Sequence, residues 1–394
     1  MAMPLEDAAL DFSPVRGDPP FRLQRALGLI PAQGFGIVRR ALLGVLLTWV
    51  PLVAAAAWSH RLWPGEASEP LLQHFGVHVR FLLAVPLLIV GEAVAHAVAR
   101  RVIPYFAQSG LVTDADRPRF VAGVRRAAAW RDGGRPWLVI AALVVAVVAL
   151  SPAERDAHEL SWVLGDPGPN PALIFGTLWF RFVARPIFVA LLFGWLWRLV
   201  LMTLLMWRVS RLDLALVPTH PDRTGGLGFL EVLPLAFTPA AFAVAAVLAG
   251  RWGHDMIYHG VPLATFAIPI AAFAAVTVLA LLVPVLVFAP RLGAARRHAM
   301  LDYGALVGEQ HRHVRRRWLL GEPLPHDPLL DAPELGPVAD TISMYDAITR
   351  MRPAPVSKRL LVTLALAVLL PVVPLVFVEI PLKDALLTVV RTLL

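Results

Sequence analysis

Residues 195–250 read WLWRLVLMTLLMWRVSRLDLALVPTHPDRTGGLGFLEVLPLAFTPAAFAVAAVLAG, which is two apolar segments around one polar turn, residues 220–228. An α-helix needs about twenty apolar residues to cross the ~30 Å hydrocarbon core of a bilayer. Each of the two segments has that length. The stretch therefore predicts two antiparallel transmembrane helices joined by a short turn.

The rest of the chain repeats this design. Hydrophobic residues make up 58% of the 394 residues, and the mean hydropathy is +0.66; soluble domains are about 45–50% apolar. We therefore predict an all-α, polytopic transmembrane helix bundle of about seven spans, with cytoplasmic and interfacial amphipathic helices. The chain has no cysteine, which excludes disulfides, thiolate metal sites and cysteine nucleophiles.

Hydropathy places the spans and divides the chain into four regions. The predicted spans are residues 38–58, 78–98, 137–150, 186–207, 229–250, 262–290 and 360–378. The third of these spans is short unless it extends back toward Ala127. The predicted regions are a cytoplasmic N-terminal segment (1–37), six spans with short outer loops and a basic inner connection at 100–136 (38–290), a basic cytoplasmic loop with helices (291–358), and the seventh span with an outer amphipathic tail (359–394).

Charge predicts the orientation. With the N-terminus inside, 27 of the 36 Lys and Arg residues fall on the inner side, as the positive-inside rule requires. The net charge of +8 is thereby explained by membrane orientation, and no nucleic-acid partner is expected. The bias toward Arg, Ala, Leu and Pro is typical of a GC-rich bacterial genome. We predict a multi-pass protein of the bacterial inner membrane with a cytoplasmic N-terminus.

Ionisable residues lie inside predicted spans: Glu92 and His96 in the second, and Arg198 in the fourth. Such groups must face protein or water, so they mark either a solute path or a buried ion pair. Glu92 precedes Arg100 by eight residues, and Arg198 precedes Arg208 by ten. At ~1.5 Å per residue both lie about 12–15 Å from the inner boundary. We therefore predict that Glu92 and Arg198 approach each other.

The turn before the fifth span suits an anion. Glycines let backbone N–H groups approach a ligand closely, and a helix N-terminus attracts negative charge. The alternative is a tight turn that needs glycine for positive φ. The predicted anion-binding residues are Asp222, Arg223, Thr224, Gly225, Gly226 and Gly228.

Histidines gather at the predicted outer side. His74 and His78 have the i,i+4 spacing that places two imidazoles on one helix face. The loop after the fifth span adds His254, Asp255 and His259. If these five residues converge, their ligands suit Zn²⁺ or Cu²⁺. The alternative is a set of interfacial histidines that hydrogen-bond water and headgroups.

Several features concern packing. Proline breaks are expected in the fifth span at Pro234 and Pro239, and in the seventh at Pro371 and Pro374. Surface helices are expected after Asp114 and Asp116, at residues 21–30 and 340–351, and in the tail at 381–394. Two alanine stripes suit close packing of the fifth and sixth spans; they are Ala241, Ala245 and Ala249, and Ala267, Ala271 and Ala275.

These features favour a channel or transporter for a small, possibly anionic solute. Two alternatives stay open: a membrane-embedded metal-binding protein or enzyme using the outer histidines, and a non-catalytic assembly or sensory protein. No complete catalytic constellation is visible in the sequence. The expected partners are the lipid bilayer, a small solute or anion, and a second copy of the chain in a homo-oligomer.

Overall fold

The computed structural model describes residues 10–64, 70–150, 170–322 and 336–379, and it is 78% helical. The predicted tail at 381–394 and the acidic outer loop after residue 150 lie outside these ranges. The helices are α1 (Pro19–Ala26), α2 (Ile37–Trp58), α3 (Phe75–Gln108), α4 (Arg117–Asp132), α5 (Gly134–Leu150), α6 (Pro171–Val209), α7 (Gly228–His259), α8 (Leu263–Leu286), α9 (Ala289–Val314), α10 (Gly336–Thr349) and α11 (Lys358–Glu379).

Six helices in the described residues, α2, α3, α6, α7, α8 and α11, are long and apolar enough to cross a membrane. A seventh span forms if α4 and α5 are counted together, because they meet at a 42° bend. Extended backbone at Gly133 (ψ 141°) separates the two helices. The chain is thus a multi-pass helix bundle, as predicted. That the third span continues back through Ala127 stays a prediction, because α4 and α5 are separate helices on either side of the bend.

Two spans carry a wide π-helical turn, at Val79–Ala84 in α3 and at Phe180–Ala184 in α6. A proline, Pro86 or Pro186, is the second residue after each turn. Proline lacks the N–H that would bond the carbonyl four residues earlier, and its ring crowds that carbonyl, so the preceding turn widens. The two wide turns pack together, with the rings of Phe81 and Phe180 6.2 Å apart.

Helices α3 and α7 form the centre of the bundle, and half of the apolar window of each is buried. Small residues allow their close approach. Ala241, Ala245 and Ala249 of α7 are all buried, and α7 begins with 3₁₀ turns around Pro234 before it becomes α-helical at Thr238. A 3₁₀ turn at Leu370–Val372 likewise interrupts α11. Both predicted proline breaks are confirmed.

The prediction that the two alanine stripes pack against each other is wrong, although the fifth and sixth spans meet at Trp252 and Phe266, whose ring centroids are 5.8 Å apart. The stripe of Ala267, Ala271 and Ala275 on α8 is exposed, and α8 packs mainly against α6 and α11. An apolar groove of about 320 Å³ separates α7 from α8. Bulky side chains of α6, including Trp195 and Leu199, line that groove and hold the two helices apart.

The N-terminal segment docks on the bundle instead of lying on a membrane surface. Phe12, Val15, Phe21 and Phe35 are buried. Polar contacts also hold the segment. Arg131 Nη1 donates to Ser13 O at 2.6 Å, and Arg22 Nη2 donates to Asp132 O at 2.8 Å. Arg100 pairs with Asp11 at 2.7 Å. Residues 10–36 therefore close one end of the bundle, which we call the basic end.

Helices α9 and α10 also lie at the basic end and pack against each other. They confirm that residues 291–358 contain helices, including the one predicted at 340–351. Arg296 Nη2 donates to Thr349 O at 2.7 Å and joins the start of α9 to the end of α10. The rest of α9 is largely exposed.

The close contact of Gly91 with α6 and α7 provides a test of the helix packing described here. A Cβ at Gly91 would lie 2.7 Å from Trp195 Cζ2 and 3.0 Å from Pro239 Cβ. We expect Gly91→Ala to destabilise the bundle by about 1–3 kcal/mol through overpacking, measured as a lower melting temperature in one detergent. Gly123→Ala is the matched control, since nothing lies within 4 Å of that position, and should be neutral or stabilising. Equal behaviour of the two variants would contradict the packing described.

Candidate functional site

The centre of the candidate site is the guanidinium of Arg198 on α6. Its Nη2 donates to Glu92 Oε1 on α3 at 2.8 Å and to Asp18 Oδ2 at 3.0 Å. The Arg198 side chain is 4% exposed and that of Asp18 is 1% exposed. The Arg198 guanidinium carbon also lies 5.4 Å from the centroid of the Trp195 ring. One buried cation is thus held by two carboxylates and one indole.

A second arginine completes the cluster. Arg40, near the start of α2, pairs through Nη2 with Glu92 Oε2, and its Nε donates to Gln24 Oε1 of α1. Both side chains of the Arg40–Glu92 pair are buried. The cluster of Asp18, Arg40, Glu92 and Arg198, which we call the charge quartet, is electrically neutral, with two guanidinium groups and two carboxylates. Buried charges are tolerated only in such paired arrangements.

Local sequence explains how Asp18 is positioned. Asp18 is the N-cap of α1: its Oδ1 accepts the backbone N–H of Phe21 at 2.8 Å. Pro19 and Pro20 follow, and proline is well suited to the first helical turn. With Oδ1 occupied by the cap, Oδ2 points toward Arg198. The cap therefore orients the carboxylate that the N-terminal segment inserts into the bundle.

Burial raises the pKa of Asp18 above its ordinary value of 3.8, and the adjacent Glu92 carboxylate adds to this effect; Arg198 offsets it only in part. A raised pKa in the docked state means that docking favours the protonated acid. The contribution to docking is complete below the ordinary value and is lost as the pH rises through the raised value. Ionised Asp18 therefore weakens the docking of its own segment at neutral pH.

His96 lies one turn beyond Glu92 but does not join the charge quartet. Its ring is buried and lies 5.0 Å from the ring of Phe35. It packs against the docked segment instead of pairing with Arg198. The intramembrane charges predicted from sequence are thus split, with Glu92 and Arg198 paired as expected and His96 apart from them.

The sequence contains weak signals for Asp18 and Arg40, the two members of the charge quartet that were not predicted. Arg39 and Arg40 are adjacent at the start of a span, so one of them must turn inward around the helix. Asp18-Pro19-Pro20 is a helix-start signal. Neither signal states which surface the residue meets, so only the folded chain shows that both reach Glu92 or Arg198.

The predicted anion turn is filled by its own carboxylate. Asp222 Oδ1 accepts the N–H groups of Thr224 at 2.7 Å and Gly226 at 3.2 Å, and Oδ2 accepts that of Gly228 at 2.8 Å. Burial alone would raise the pKa of Asp222, but these three N–H groups outweigh it and lower the pKa. The amides assigned to a free anion are therefore already occupied by Asp222.

Backbone geometry supports the tight-turn alternative. Arg223, Gly225 and Gly226 have φ of 60°, 64° and 95°, a left-handed conformation that favours glycine. Arg352 clamps the turn from the link between α10 and α11: its N–H donates to Arg223 O at 2.7 Å and its Nη2 to Asp222 O at 2.9 Å. Its Nη1 donates to Glu231 at 2.8 Å. The turn thus joins the start of α7 to the start of α11.

Three of the outer histidines gather at the other end of the bundle. The rings of His74 and His254 stack with centroids 5.3 Å apart, and His259 lies 5.6 Å from His254. His74 Nδ1 is 2.9 Å from Pro70 O and His254 Nδ1 is 3.3 Å from Gln73 O. The second and fifth spans are therefore neighbours at this end.

His78 does not belong to that set. Its Nδ1 accepts from Trp49 Nε1 at 3.0 Å and its Nε2 donates to Leu71 O at 3.0 Å, so both ring nitrogens are engaged. The backbone carbonyl of Asp255 accepts a hydrogen bond from the N–H of Val261, at the end of α7. Within the described ranges, no group of three or more His, Asp or Glu side chains is arranged to hold a metal ion. The predicted five-residue metal site is not assembled, and Zn²⁺ or Cu²⁺ binding stays a prediction.

Comparison with known proteins adds no relative. No protein-family profile, no curated protein and no solved structure matches this chain. Functional inference therefore rests on the geometry of the charge quartet and its surroundings.

The raised pKa of Asp18 predicts how docking depends on pH. Acidification from pH 7.5 to 4.5 should reduce opening of residues 10–36, measured as hydrogen exchange corrected for its intrinsic pH dependence. Asp18→Asn, which cannot ionise, should flatten this profile. Opening that increases on acidification, or an unchanged profile in Asp18→Asn, would contradict the assignment.

The filled turn predicts chemical rescue. Asp222→Ala leaves three N–H groups without their acceptor, which should cost about 1–3 kcal/mol and lower the melting temperature. Formate, a carboxylate small enough to replace the missing group, should restore part of the loss at millimolar concentration. Asp213→Ala is the control, because this exposed carboxylate makes no ion pair with any described residue. A stable Asp222→Ala protein that ignores formate would show that the amides do not need an anion.

Proposed function

We propose that this protein carries a small anionic solute across the bacterial inner membrane, with the N-terminus cytoplasmic, and that Arg198 and Arg40 bind the solute. The supporting observation is the origin of the carboxylates in the charge quartet. Glu92 belongs to a membrane span, whereas Asp18 belongs to a segment outside the spans. The second carboxylate of Arg198 is thus the one that can leave.

Charge balance explains why an anion would take its place. When Asp18 leaves, Arg40, Arg198 and Glu92 remain, with a net charge of +1. An unpaired charge in a buried site costs several kcal/mol. A monovalent anion restores neutrality and accepts the hydrogen bond that Asp18 Oδ2 released. Carboxylates suit a guanidinium because two oxygens match its planar donors, so we expect a small monocarboxylate.

The N-terminal segment contains two apolar groups, of which the first, Leu10 and Phe12, belongs to the main core. Val15, Phe21, Ile30 and Phe35 form a small apolar cluster of their own, separate from the main core. Gly17 and Gly36, with φ of 100° and 57°, lie near the two ends of that cluster. The Asp11–Arg100 pair that helps to hold the segment is about half exposed, at 45% and 53%, and exposed pairs contribute little.

In this proposal the solute approaches the site beside the docked segment. A cavity of about 500 Å³ lies at the basic end, between the N-terminal segment and α3, and is lined by Leu10, Asp11, Arg100, Pro104, Ala107, Gln108 and Arg117. Toward the opposite end, the π turns of α3 and α6 provide helices that bend more easily than regular ones, and such turns are frequent at functional sites.

Asp18 acts as an internal competitor in this proposal, and its removal is the direct test. Asp18→Asn should bind acetate at least about tenfold more tightly than the unmodified protein, because an amide cannot neutralise Arg198 and the cluster keeps a net charge of +1; a factor of ten corresponds to ~1.4 kcal/mol. Binding is measured by calorimetry, and flux by uptake of labelled acetate into vesicles containing purified protein. Both should increase.

Two double variants separate the site from general charge effects. Asp18→Asn with Arg198→Gln removes one charge of each sign and should abolish acetate binding while the protein stays folded. Asp11→Asn with Arg100→Gln makes the same change at the exposed pair on the same segment and should leave binding intact. Absence of acetate flux in both the unmodified protein and Asp18→Asn would refute transport of a monocarboxylate.

A further inference from the structure

A second group of arginines lies at the basic end, on the outside of the bundle. Arg126 and Trp130 lie one turn apart on α4, and Trp207 and Arg208 lie in the last turn of α6. Arg211 follows directly after α6. We call these five residues the interface patch. Helices α4 and α6 pack against each other, which brings the two halves of the patch together.

Each of two arginines is stacked on a tryptophan. The Arg208 guanidinium carbon is 4.7 Å from the Trp130 ring centroid, and that of Arg211 is 5.2 Å from the Trp207 ring centroid. Cation–π contacts of this kind hold a guanidinium plane in place without neutralising it. The two positive charges are therefore positioned but not cancelled.

Among the residues that the structure describes, no carboxylate forms an ion pair with the patch. Arg126 lies near enough to Arg208 for the like charges to interact, and neither these two nor Arg211 forms an ion pair with any described residue. The charge quartet shows that this chain pairs its arginines with carboxylates where they are buried. Three unpaired arginines held together at one place indicate that the compensating negative charge comes from another molecule.

The aromatic residues show which molecule fits. Trp130 and Trp207 are 39% and 45% exposed, and they lie where α5 begins and α6 ends. Tryptophan favours this level of a bilayer, between headgroups and acyl chains. Just beyond, on α5, Leu138 and Val139 are 71% and 60% exposed. A phosphate ion in water would gain nothing from these apolar surfaces, whereas a phospholipid would meet them with its glycerol and acyl chains.

We propose that the interface patch binds the phosphate of an anionic glycerophospholipid in the leaflet at the basic end. Arg126, Arg208 and Arg211 contact the headgroup, and Trp130 and Trp207 border its glycerol region. Basic pockets between transmembrane helices are suited to such headgroups. The site is separate from the charge quartet and does not depend on solute transport.

Lipid retention by the full-length protein tests this site. Purified protein is reconstituted in vesicles of phosphatidylcholine with 20% phosphatidylglycerol, extracted, and examined by native mass spectrometry. Phosphatidylglycerol should be enriched on the protein over its bulk fraction. Replacing Arg126, Arg208 and Arg211 with Gln should lower the relative affinity for phosphatidylglycerol over phosphatidylcholine by about fivefold per arginine, the factor that corresponds to about 1 kcal/mol each, so the triple variant should retain the lipid near its bulk fraction.

The control makes the same change in charge elsewhere. Gln at Arg312, Arg315 and Arg316, on the exposed far end of α9 and in the turn that follows it, should leave the enrichment unchanged. Arg211→Gln alone alters one exposed side chain, so it should keep the fold and still lose part of the lipid. Equal loss in both triple variants would mean diffuse electrostatics and overturn the site. Stabilisation of the unmodified protein in detergent by 10 mM inorganic phosphate, equal to that by the lipid, would also overturn it.

Discussion

The pairing of Arg198 with two carboxylates is the constraint on which this structure depends. A guanidinium inside the bundle keeps its charge, so it needs anionic partners at contact distance. Glu92 supplies one partner and fixes which face of α3 meets α6. Asp18 supplies the other from the N-terminal segment, which lies against the basic end. Glu92 in turn orients Arg40, and thereby α2.

Charged side chains that meet partners of opposite charge or polarity also organise the rest of the basic end. Asp222 accepts three N–H groups of its own turn, and Arg352 joins that turn to Glu231 and to the start of α11. In these contacts each charged side chain and its partner are both held by short backbone segments. They make a rigid frame. Within this frame the Asp18 segment is different, because it carries an apolar cluster of its own beside the main core.

Arginine thus has two environments in this protein. In the charge quartet, burial removes water and only a carboxylate can compensate the cation. At the interface patch, the guanidinium groups lie against exposed tryptophan rings and keep access to headgroups and water. The same side chain serves as an internal ligand in one place and as an external one in the other, and the difference is the dielectric medium around it.

Hydropathy and charge along the sequence determined the helical membrane bundle, the positions of six spans, the proline breaks and the pairing of Glu92 with Arg198. Each of these depends on the position of a residue along its own helix. The folded chain alone decided that Asp18 and Arg40 join them, that Asp222 fills its own turn, and that His78 bonds Trp49 and Leu71 instead of meeting His254. Those contacts depend on the rotation of each helix about its axis and on the φ angles of the turns. Both are set when side chains from distant segments compete for the same buried space and the same hydrogen bonds.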